Sequence, residues 1–157
     1  MACAYPIALG AINMSPKSAN TLLNGPMDPT HLLNVRRGIL VSSYARLAPE
    51  WRGQGTAAVM QAVHAAYVHS YASDPLVRFA PVEGRNDVYS GAQLLQLRQV
   101  VGTAYTHIAY HVVGDRLYLF CCIDNLLKGA ATQAIENLNH WLGLPSETGL
   151  AHTEALI

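Results

Sequence analysis

The chain has 157 residues, of which 51% are hydrophobic and 13% are charged, and its formal net charge at pH 7 is +0. This length favours one domain with a substantial core, and the balanced charge gives no reason to expect nucleic acid or a membrane as a partner. No apolar run reaches transmembrane length, no basic stretch marks a secretory signal, and three cysteines make no disulfide framework, so we expect a cytoplasmic protein.

A single domain over residues 1–157 is predicted, with an N-terminal arm and linker over 1–30 and a tail over 151–157. Residues 1–12 are apolar, whereas residues 13–30 are rich in Ser, Asn, Pro and Gly, a composition typical of a loop. The small share of charged residues is consistent with a surface that is partly buried against another chain.

Hydrophobic periodicity predicts the elements of the first half. Residues 32–47 favour a strand, and residues 56–71 favour a helix. The apolar stripe of that helix consists of Val59, Met60, Val63, Ala66 and Tyr67. His64 and His69 flank the stripe, and a spacing of five residues does not place two ligands on one metal ion.

The sequence of the second half of the chain predicts a β-hairpin. Residues 76–81 favour a short strand, and residues 93–101 favour either a strand or a short helix. Alternation over residues 103–113 predicts a strand, and residues 116–123 return antiparallel after a Gly114-Asp115 turn. One face of the first hairpin strand carries Tyr105, His107, Ala109, His111 and Val113.

The hairpin runs into a predicted helix over residues 126–142, with Asp124 and Asn125 as N-cap residues. Gly143 is expected to end the helix. One face of the helix is apolar and consists of Leu127, Ala130, Ala131, Ala134, Leu138 and Trp141.

Lys128 is unusual because a cation in a first turn faces the positive end of the helix dipole. Free backbone amides at a helix start favour an anion, and Lys128 would add to that preference. The functional interpretation is an anion-binding helix start. The alternative is a solvated lysine whose stem covers apolar surface.

His107 and His111 lie about 13 Å apart along the predicted strand, which is too far for one metal ion. We therefore expect no metal site here. One histidine can still act as a general acid or base, and the alternative is that both line a half-polar sheet face.

A family resemblance is carried by the same region. The run DNLLKGAA at residues 124–131, with GLP at 143–145 and ETGL at 147–150, resembles the C-terminus of N-acetyl-γ-glutamyl-phosphate reductase. RGIL at residues 37–40 resembles the Arg-Gly-Ile strand of that family. The resemblance implies that residues 31–150 form the family's substrate and dimerisation domain.

The resemblance also implies a fold class and an assembly. The fold is α+β, with a mixed, mostly antiparallel sheet and helices on one face, like the C-terminal domain of glyceraldehyde-3-phosphate-dehydrogenase-like reductases. It favours a strand over residues 93–101. It further implies a homodimer with the open sheet face buried.

Two departures from the family pattern are evident. The segment at residues 3–8 weakly resembles the family's cysteine segment, but Ala4 stands in the cysteine's place and Cys3 in the glycine's. No Gly-x-Gly-x-x-Gly unit occurs, so the resemblance covers a chain that lacks the NADP-binding domain. We expect no cofactor.

Two functions follow as hypotheses. The first is a small enzyme that catalyses cyclisation, isomerisation or elimination on an amino-acid-like or acyl substrate with an anionic group. Its catalytic residue would be His107, and its substrate-binding residues would be Arg37, Asn125 and Lys128. The second is a non-catalytic dimerising protein, or a partner subunit of a separate nucleotide-binding chain.

Overall fold

The computed structural model describes residues 30–31, 35–83 and 91–150 and shows one mixed sheet. Its strands lie in the order β1-β2-β5-β4-β3, and all neighbours are antiparallel except β3 and β4, which are parallel. The strands are β1 (Thr30–His31), β2 (Ile39–Arg46), β3 (Val77–Pro81), β4 (Thr106–Val113) and β5 (Arg116–Ile123). The helices are α1 (Thr56–Tyr71), α2 (Gly91–Leu94) and α3 (Thr132–Trp141). This architecture confirms the predicted α+β class.

The core lies between α1 and one face of the sheet. Val59, Val63 and Tyr67 of α1 are buried, as the predicted stripe requires. The ring of Tyr67 stacks on the ring of Tyr110 from β4, with centroids 5.0 Å apart. The Tyr110 hydroxyl lies 2.6 Å from Nδ1 of His64, so the polar end of this buried aromatic side chain has a partner.

The segment at residues 93–101 contains the end of α2 and a short 3-10 helix over Leu97–Gln99, so the strand that the resemblance favoured there is wrong. Its buried residues are Leu94 and Val100, and the positions between them do not alternate between buried and exposed as they would in a half-buried strand. Gly91 also packs against the end of β3, where an added Cβ would lie 2.1 Å from the Pro81 carbonyl oxygen. This close approach requires a glycine and seats α2 against the end of β3.

β2 begins at Ile39, seven residues after the predicted start. Gly38 immediately precedes it with φ of 105°, a backbone conformation that L side chains rarely adopt. β4 likewise begins at Thr106, after a turn in which the Thr103 hydroxyl donates to the Val100 carbonyl. Both predicted strands exist, but local turns shorten them.

The sheet face opposite α1 is partly exposed at the end next to the turn between β4 and β5. Tyr44 of β2 and Tyr118 of β5 lie side by side in register, with ring centroids 5.4 Å apart in an edge-to-face arrangement. His111 and Val113 of β4 share this face, and Val113 is 53% exposed. We call Tyr44, His111, Val113 and Tyr118 the open sheet face.

Within the described residues, no helix is both long and apolar enough to cross a membrane. The N-terminal arm with Cys3 and Ala4 and the tail over 151–157 lie outside those residues.

Candidate active site at the start of the last helix

Asp124 organises the junction between β5 and α3 and is completely buried. Its Oδ1 accepts hydrogen bonds from the amides of Leu126 and Leu127 at 2.8 and 3.0 Å, as expected of an N-cap residue. Its Oδ2 accepts from the Gly102 amide at 2.7 Å and pairs with an Arg37 guanidinium nitrogen at 2.8 Å. One carboxylate therefore joins three separate segments of the chain.

Two opposing effects act on the pKa of Asp124. Burial by itself raises this pKa, because removing a carboxylate from water disfavours the charged form. Hydrogen bonds from the amides of Gly102, Leu127 and Leu126 and from Arg37 together outweigh burial, so the pKa is lowered. The carboxylate is therefore ionised at neutral pH and offsets the charge of Arg37.

Asn125 makes a second contact between the DNLLKGAA run and the RGIL run. Its Oδ1 accepts a hydrogen bond of 2.9 Å from the amide of Gly38. A Cβ at Gly38 would lie 3.1 Å from a Leu97 methyl carbon, and the positive φ of this residue adds to the constraint. Arg37 and Asn125, predicted as substrate-binding residues, thus lie at one junction, and each bonds to protein groups there.

The first turn of the helix is a π-helix over Leu127–Ala131, where a regular α-helical start was predicted. The Gly129 amide donates to the Asp124 carbonyl and the Ala131 amide donates to the Leu126 carbonyl, both across five residues. The Asp124 carboxylate occupies the amides of Leu126 and Leu127. Two amides at the helix start therefore already donate to an anionic group of the chain itself.

Lys128 forms an internal ion pair, which neither interpretation of the sequence anticipated. Its Nζ lies 2.6 and 2.5 Å from the two carboxylate oxygens of Glu136, and both side chains are only 10% exposed. The wide turn allows a residue eight positions away to reach the ammonium group. The charge of Lys128 is therefore offset within the domain.

His107 lies on β4 beneath α2 and is 1% exposed. Its Nδ1 is 3.3 Å from the Leu94 carbonyl oxygen, and it is in register with Arg78 on β3 and Cys122 on β5. Burial and then the Arg78 charge lower the pKa of His107 to about 4, against the effect of the Leu94 carbonyl. This ring is neutral at pH 7 and is screened from solvent.

Residues that sequence reasoning missed lie on the inner face of α3. Thr132, Glu136 and Asn139 are buried there, whereas the predicted apolar stripe faces outward. The Asn139 side-chain amide donates to the carbonyls of Ser146 and Thr148, each at 3.0 Å. The helical spacing of these polar residues was a visible signal, but only their tertiary partners show that this face turns inward.

The fold defines a class of protein. It is a domain in which a helix covers one face of a mixed sheet, aromatic residues are exposed on the other face, and a helix capped by Asp124 follows β5. A family model described as semialdehyde dehydrogenase, dimerisation domain, matches residues 27–125, and the chain belongs to that family.

Its curated relatives are named N-acetyl-γ-glutamyl-phosphate reductase, which confirms the resemblance. The protein from Aeromonas hydrophila is 38% identical over 120 residues, which cover 76% of this chain and 30% of the relative. The one from Pelotomaculum thermopropionicum is 37% identical, covering 77% and 31%. The Dehalococcoides mccartyi protein is 31% identical, covering 98% and 42%. The chain thus spans about a third of the length of these relatives.

Proposed function

We propose that the chain is a dimerising, substrate-side domain that takes part in reductase chemistry only together with a nucleotide-binding domain. One observation carries this proposal: the polar and charged residues of the family-like motifs bond to other groups of the same chain. Arg37 pairs with Asp124, Gly38 bonds to Asn125, and Lys128 pairs with Glu136. These contacts connect the segments of the junction. Each of its charged side chains is paired with one of opposite charge.

Dimerisation is the second part of the proposal, and the open sheet face supports it. Tyr44 is 39% exposed and Val113 is 53% exposed, and they lie near Tyr118 and the partly exposed His111. Aromatic groups with a polar neighbour are typical of interface cores. A homodimer in the cytoplasm, formed through this face, is the assembly that we propose.

A small cofactor-independent enzyme is the second candidate. It is favoured by one observation: the fold brings Arg37 and Asn125 to the same junction, and Asn125 follows Cys122, the strand partner of His107, by three residues. In this proposal His107 is the acid or base and Arg37, Asn125 and Lys128 bind an anionic substrate. It requires α2 to move, because His107 is buried beneath it.

Calorimetric titration of the chain with NADPH tests the first proposal. We expect no binding at micromolar concentrations and no turnover of an acyl phosphate, because no dinucleotide-binding unit is present in the sequence. Micromolar NADPH binding would contradict the proposal. Conversion of an N-acetylated amino acid into another product without NADPH, rather than its binding alone, would instead support the enzyme alternative.

A further inference from the structure

The end of the sheet next to the turn between β4 and β5 carries an unusual pair of arginines. Arg46 of β2 and Arg116 of β5 lie directly opposite each other in register, and both are exposed. Like charges at directly opposed positions of two antiparallel strands destabilise the pair. The stability of a single copy of the domain therefore gives no reason for this arrangement.

Only one of these two positive charges is offset within the part of the chain that the structure describes. The carboxylate of Asp115 lies 3.4 Å from Arg46. No carboxylate of the described residues forms an ion pair with Arg116. Each copy of the chain thus presents one positive charge at this end of the sheet that an acidic group of another molecule can offset.

Glu83, which follows β3, supplies the opposite charge on the other side of the open sheet face. Its side chain is 81% exposed, and its Oε1 lies 3.9 Å from Nε2 of His111, which is beyond hydrogen-bond distance. Among the described residues, no lysine or arginine forms an ion pair with Glu83. Two strand spacings, about 10 Å, separate β3 from β5, so Glu83 and Arg116 of one copy lie apart.

The charges flank the open sheet face in a pattern that is complementary to itself. Arg116 is in register with Val113 and lies two residues from Tyr118, so it shares their face. Positive charge therefore lies on the β2 and β5 side of this face, and negative charge lies on the β3 side. In a two-fold dimer each contact occurs twice, because residue i of one copy meets residue j of the other and the reverse. Such a dimer can bring the positive side of each copy to the negative side of the other.

We propose that the open sheet face selects a second copy of this chain by charge, with Glu83 of one copy paired with Arg116 of the other in two symmetric ion pairs. This inference rests on the proposed dimer and names the residues that fix its orientation. The aromatic and apolar side chains of the face supply the contact area. Orientations in which the arginine pairs of two copies meet are disfavoured, because like charges are then juxtaposed.

The test measures the dimer dissociation constant of the full chain by analytical ultracentrifugation at low ionic strength, where salt screens ion pairs least. Glu83→Arg and Arg116→Glu should each raise this constant at least about tenfold, because each places like charges at both symmetric contacts. An equimolar mixture of the two variants should dimerise about as tightly as the unaltered chain, because unlike charges then meet at both contacts. Native mass spectrometry should identify the heterodimer. Both side chains are exposed, so the circular dichroism spectra should be unchanged.

Glu50→Arg is the matched control, because it makes the same change of charge at an exposed position in the 3-10 helix over Pro49–Trp51. It should leave the dissociation constant unchanged. A dimer that neither Glu83→Arg nor Arg116→Glu weakens, a mixture of these variants that stays dissociated, or equal weakening by Glu50→Arg would overturn the ion-pair inference and leave the proposed dimer standing. A monomer for the unaltered chain would overturn both.

Discussion

Asp124→Ala is expected to destabilise the domain by about 3 kcal/mol, because it removes a buried acceptor on which several hydrogen-bond donors depend. The substitution leaves Arg37 and the amides of Gly102, Leu126 and Leu127 without their acceptor. It also removes the cap of the last helix, which contributes about 1 kcal/mol by itself. Denaturant unfolding followed by circular dichroism measures the effect, and a variant that fails to fold also meets the expectation.

Asp115 provides a matched control, because it is also an aspartate paired with an arginine. Its carboxylate lies 3.4 Å from Arg46, but the two side chains are 48% and 54% exposed. Asp115→Ala should therefore cost about 0.5 kcal/mol or less. Similar losses in the two variants would show that Asp124 is not the organising group of the junction.

Acid should destabilise the domain progressively between pH 6.5 and about 4 because of His107. The native ring stays neutral until its lowered pKa of about 4, whereas the unfolded chain takes up a proton from about pH 6.5 downward. The unfolded state binds more protons in this window, so stability falls as pH falls, by a total of about 3 kcal/mol. Asp124, whose pKa is also lowered, adds a further loss at more acidic pH, where its native carboxylate becomes protonated.

Unfolding free energies at pH 7.5, 5.5 and 4.5 measure this dependence. His107→Leu removes the titrating group from a site that is 1% exposed and should flatten the slope, whatever its effect on stability at pH 7.5. An unchanged slope in the His107→Leu variant would assign the acid sensitivity to other groups.

Long periodic elements were predictable from the sequence. The helix over Thr56–Tyr71 and the strand over Arg116–Ile123 have the predicted bounds. The hydrophobic pattern repeats over several turns of this helix and several residue pairs of this strand, so each prediction rests on many residues. The segment at residues 93–101 was not predictable in the same way. It follows Gly91, which packs against the end of β3, and no periodic pattern in the sequence signals this tertiary contact.

In the candidate site, too, local features were predictable from the sequence and tertiary contacts were not. Periodicity shows that α3 is amphipathic, but not that its polar face turns inward, because the partners of Asn139 are carbonyls beyond the helix end. The Asp124 cap was predictable from local chemistry. Its bond to Arg37 and the Lys128–Glu136 pair were not, because one joins segments that are far apart in the sequence and the other depends on a wide helical turn.

The mass of the chain in solution tests the central claim, that this is a dimerising domain, most directly. Light scattering at tens of micromolar should give twice the chain mass of 17.0 kDa. Tyr118→Asp, which places a charge in the open sheet face beside Tyr44, should give a single-chain mass with the fold retained. A single-chain mass for the unaltered protein would contradict the claim.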